Sequence, residues 1–125
     1  KDKIKPEFVQ RVTSQRDIAP TLLSLLGNDI PGSFNGKPIH QNNHSLYFAD
    51  YFHAGTLGWI EEDTLIEIQL NATDKISCFD YMSDKLQKNT IPCPENAIAK
   101  RNNALAFTKK SQTLLFNGKL LDWAK

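Results

Sequence analysis

Leu57-Gly58-Trp59-Ile60-Glu61-Glu62-Asp63-Thr64-Leu65-Ile66-Glu67-Ile68-Gln69-Leu70 is the stretch whose reading decides the fold. Two runs rich in branched and aromatic residues flank an acidic tripeptide. In the second run Ile66, Ile68 and Leu70 alternate with Glu67 and Gln69. Side chains of a strand point alternately to opposite faces, so this pattern predicts a sheet with one covered face. Glu61-Glu62-Asp63 then reads as a solvated turn between two strands. A pair of acid–base carboxylates is the rival reading, and the turn accounts for the same residues more simply.

Working outward, Leu46-Tyr47-Phe48-Ala49-Asp50-Tyr51-Phe52 is aromatic and strand-like, and 75–81 offers a fourth short strand after a turn at 71–74. The expectation is an antiparallel meander over 44–81. Residues 82–94 form a polar connection containing Pro92 and Pro94. The C-terminal helical part, 94–125, holds a helix over 95–116 with Ala97, Ala104, Phe107 and Leu114 near one stripe. On that helix Lys100-Arg101 and Lys109-Lys110 read as an exposed basic face. Asn117-Gly118 ends it, and a short tail carries Leu120, Leu121 and Trp123.

Upstream, 28–43 is loop, marked by Pro31-Gly32, Asn35-Gly36 and Pro38. Before it lies a helix over 14–27. Ser14 or Asp17 caps its first turn, where Pro20 is also tolerated, and Gly27 supplies a left-handed stop. Ile18, Leu22, Leu25 and Leu26 fall on one face, which Leu23 widens. The fold class is therefore α+β: an N-terminal helix, an antiparallel sheet of three or four strands, and a C-terminal helix.

The 125 residues suffice for one domain, 40% apolar and 23% charged. Fifteen Lys and Arg against fourteen Asp and Glu give a net charge of +1, which offers nothing to attract nucleic acid or an anionic membrane. No apolar run approaches the ~20 residues of a membrane span. The chain begins at Lys1 without a signal-peptide core, and the natural start is expected upstream. Cys78 and Cys93 are either paired, in an oxidising compartment, or two separate thiols.

His40, His44 and His53 invite a metal reading. The pair four apart sits in a Pro/Asn loop rather than on a helix, so solvated loop histidines are the simpler account. If one meets a substrate it is His53, beside Gly55. Trp59 and Trp123 could stack on a ligand, although core packing is the commoner use of tryptophan.

The helix segment, Ser-x-x-Asp-Ile-x-Pro-Thr-Leu-Leu-x-Leu-x-Gly, resembles the late helix of sulfatases and their phosphoglycerol-transferase relatives in the alkaline phosphatase superfamily. Ile30-Pro31 and Gly36-Lys37-Pro38-Ile39 occupy the places of the loop that follows it there, with Ile39 where Leu is usual. Gly55-x-x-Gly58-Trp59-Ile60 and Thr64-Leu65-Ile66 resemble the next strand pair of lipoteichoic acid synthase-like proteins. The likeness covers about 11–70.

The resemblance implies that residues 1–125 are one C-terminal segment of a larger α/β domain, with the rest of that domain as partner. The parent would be a metal-dependent enzyme acting on phosphate or sulfate esters. Its nucleophile would be Thr, Ser or modified Cys, and its Mn²⁺ or another divalent cation would be held by Asp, Glu and His. In family order those residues precede this helix. No catalytic, cofactor or metal residue is therefore assigned here, and Thr21 is expected to pack rather than attack. His53 and Trp59 remain the substrate-side candidates.

The parent is expected outside the cytoplasmic membrane, anchored by helices not found in this sequence. Self-association of the segment through helix 14–27 is a further expectation. One alternative is a self-contained extracytoplasmic binding module using the aromatic strands 46–59. Another is a small hydrolase built on His53, Asp50 and Ser45.

Overall fold

The computed structural model describes residues 6, 8–27, 36–41 and 47–117. A short 3-10 turn, Gln15–Asp17, leads into α1, Ile18–Leu25. Four strands follow, β1 Phe48–His53, β2 Thr56–Glu61, β3 Thr64–Gln69 and β4 Ala72–Asp80, and then the long helix α2, Ala97–Phe116. The strands form one antiparallel sheet in the order β1-β2-β3-β4. The α+β reading and its element order hold, with four strands rather than three.

Register follows from two-residue connections. His53 pairs with Thr56 across Ala54-Gly55, and Glu61 pairs with Thr64 across Glu62-Asp63. Glu62 and Asp63 thus make the predicted turn, while Glu61 ends β2. Directly paired residues share a face. Asp50, Trp59, Ile66 and Cys78 therefore lie side by side, as do Phe52, Leu57, Ile68 and Ile76.

α2 packs across this face, over β2 and β3. The core comprises Leu57, Trp59, Ile66, Ile68, Cys78, Ala97 and Ala104, with Phe48, Ile76, Leu105 and Phe107 packed against it. Phe48 stacks on Trp59 at 3.9 Å between ring centroids, and the edge of Phe107 meets Phe48 at 4.7 Å. Such aromatic pairs add ~0.5–1.5 kcal/mol beyond the area they bury.

Three expectations need correction. The sheet has more than one covered face: Leu65 and Phe79, partners on the side opposite α2, are both buried. Leu70 belongs to the β3–β4 turn and is exposed, because strand alternation ends at Gln69. Lys100 is no part of an exposed basic face. It lies three residues after Ala97 and four before Ala104, on the packing stripe itself, and is 3% exposed. Its Nζ donates to the Glu61 carbonyl at 3.1 Å and to the Glu62 carboxylate at 3.3 Å. The stem packs under the helix while the ammonium ties the β2–β3 turn.

Cys78 and Cys93 are joined by a disulfide, which resolves the alternative left open above. Ile91 forms an antiparallel bridge to Cys78, its N–H donating to the Cys78 carbonyl at 2.8 Å. The connection between β4 and α2 is thereby held against the sheet edge. At its start, the Asp80 carboxylate accepts the N–H groups of Met82 and Ser83 at 3.0 Å each. Hydrogen bonding by Ser83, and then by Met82, holds the Asp80 carboxyl below its usual range.

Candidate functional site

The residues that carry the sequence motif form a clamp. Asp17 Oδ2 accepts the Ser14 N–H at 2.8 Å, so its side chain reaches back across the 3-10 turn instead of capping the first-turn N–H groups of α1 as expected. Its other oxygen, Oδ1, accepts the Lys37 N–H at 2.9 Å. One turn later the Thr21 hydroxyl donates to the Asp17 carbonyl at 2.5 Å and accepts the Ile39 N–H at 2.9 Å. Pro38, between the two donors, has no N–H to satisfy. At Gly36 a Cβ would overlap the Arg16 carbonyl, so the segment can lie against the 3-10 turn only because that residue is glycine. Thr21 is therefore a structural hydroxyl with both roles in use.

Arg16 fastens this unit to the sheet. Its guanidinium forms an ion pair with Asp50 of β1 and lies over the rings of Phe48, at 4.6 Å, and Phe107, at 4.8 Å. Cation, carboxylate and two aromatic faces thus join the 3-10 turn that leads into α1 to β1 and α2 at one point. Nearby, Arg11 donates to the Gln41 carbonyl at 3.3 Å and lies over the Tyr47 ring at 4.3 Å. The Tyr47 hydroxyl donates to the same carbonyl at 2.8 Å.

With its inner side clamped, α1 turns its apolar stripe outward. Pro20 is buried, whereas Ile18, Leu22, Leu25 and Leu26 are exposed by 52%, 56%, 45% and 75%. Four large aliphatic side chains on one short helix make a contiguous apolar face of the kind that marks an interaction surface.

The predicted site residues do not converge. His53, at the end of β1, is exposed. It points to the face opposite Asp50, whose carboxylate is engaged by Arg16, so a His53–Asp50 pair does not form. Ser45 and His44 lie outside the described residues, as do Leu120, Leu121 and Trp123. His40 shares a 3.2 Å hydrogen bond with Ser24 at the end of α1. Trp59 is corrected from a substrate-side candidate to a core residue: it is 0% exposed, and its Nε1–H donates to Glu61 at 2.9 Å. Among the described residues no three His, Cys, Asp or Glu side chains come together as a metal site, and no helix is long and apolar enough to cross a membrane.

On the second sheet face Tyr51, Gly58 and Glu67 lie in register. The Tyr51 ring crosses over Gly58, where any Cβ would strike it, and its hydroxyl donates to Glu67 at 2.6 Å. Burial, and then the Glu67 carboxylate, push the Tyr51 phenol well above its usual range. A groove of about 470 Å³ lies near the β2–β3 turn, lined by Arg11, Tyr47, Glu62, Asp63 and Met82. Its carboxylates are engaged locally: Glu62 pairs with Lys100, and Asp63 accepts from Thr64 at 3.3 Å.

The backbone fold is similar to part of a known structure. A protein in the alkaline phosphatase superfamily from Vibrio parahaemolyticus superposes with a TM-score of 0.62 over 82% of this chain, at 24% identity. The fold is that of part of an alkaline-phosphatase-like domain. The chain spans 25% of that structure's length, so most of the larger fold has no counterpart among these residues. A Bacteroides thetaiotaomicron 4S-sulfatase, from a locus for glycosaminoglycan metabolism, aligns over 84% of this chain and 29% of its own, at 17% identity and a TM-score of 0.45. No family model matches the sequence, and no curated protein matches it.

Proposed function

We propose that this chain is the C-terminal structural part of a metal-dependent sulfatase-like enzyme, a phosphoglycerol transferase acting outside the cytoplasmic membrane. The observation that carries the reading is the asymmetry of the fold likeness: most of this chain aligns, but with only a quarter of the larger protein. The chain completes the fold of its parent and catalyses nothing by itself. Its partner is the rest of the same catalytic domain, received on the outward stripe of α1. The stripe supports this because it is apolar and exposed, and because the Arg16 and Asp17–Thr21 contacts set the direction it faces.

The described residues do not fit a divalent cation, since no ligand set assembles among them. The Mn²⁺ or related ion that would activate a nucleophile belongs to the parent. The Cys78–Cys93 bond supports an extracytoplasmic location, where disulfides form and persist.

The test is an assay of the isolated chain and of the full protein that contains it, on 4-nitrophenyl phosphate, 4-nitrophenyl sulfate and phosphatidylglycerol with added Mn²⁺. The isolated chain is expected to be silent, and the full protein to consume phosphatidylglycerol. Turnover by the isolated chain that is lost in His53→Ala would overturn the proposal. A full protein that hydrolyses only the sulfate ester would replace the transferase with a sulfatase.

A further inference from the structure

We draw no further inference here: the strongest candidate, the groove of about 210 Å³ between β1 and α2 lined by Phe52, Phe107, Thr108 and Leu115, is an unpartnered apolar face, and nothing in the structure shows what covers it.

Discussion

Gly58 and Tyr51 form a pair in which one residue's missing side chain is the other's seat. Gly58→Ala drives a methyl group into the Tyr51 ring, and overpacking of this kind costs ~1–3 kcal/mol. Urea denaturation should show that loss when Gly58→Ala is made in the native chain, and little further loss when it is made in Tyr51→Ala, where the collision is gone. The phenol also gives stability a pH dependence with a definite sign. Folding raises the Tyr51 pKa, so its contribution is complete below the unfolded value of ~10 and is lost as pH rises through the folded one. The chain should therefore weaken above about pH 10, and Tyr51→Phe should flatten that decline. Equal slopes in the two proteins would show that Glu67 and burial do not act on this group. At the clamp, Thr21→Val leaves the Ile39 N–H without its acceptor, at a cost of ~1–3 kcal/mol, whereas Thr21→Ser should retain most of the stability.

Elements with a clear period were legible in the sequence; contacts between them were not. The alternation through Ile66 and Ile68 gave β3, and the Pro20-to-Gly27 punctuation gave α1, because both signals are local. Lys100 was misplaced because a lysine reads as solvent-facing unless a partner for its ammonium is known, and that partner lies 39 residues away at Glu61. The Asp17 and Thr21 contacts to Lys37 and Ile39 escaped for the same reason, although a Gly-x-Pro-x segment after an Asp-x-x-x-Thr pair leaves a trace of alternating donors. The cysteines could be counted but not paired until β4 and the following connection met at Ile91. That bond closes a 15-residue separation and should stabilise by ~3 kcal/mol. Thiol titration of the unfolded, unreduced chain should find no free thiol, and reduction should lower the unfolding midpoint. Two titratable thiols would remove this staple from the account.

The described residues form a sheet and helix with a core of their own, to which a second helix is fastened with its apolar side outward. Under the proposed function, that helix is the joint to the rest of the parent's domain. As its concentration is raised, the isolated chain should self-associate through the stripe, and Leu22→Asp should shift its sedimentation toward monomer. In the intact parent the same substitution should unfold the protein by burying an unpaired carboxylate. The most direct test of the joint uses Leu22→Cys, since both native cysteines are bonded to each other. Maleimide labelling is measured on the isolated chain, at concentrations too low for association, and on the intact parent. Labelling is expected to be fast on the isolated chain and at least ~100-fold slower in the parent, where the helix face would be covered and would react only through local opening. Equal rates in the two would contradict the proposed joint.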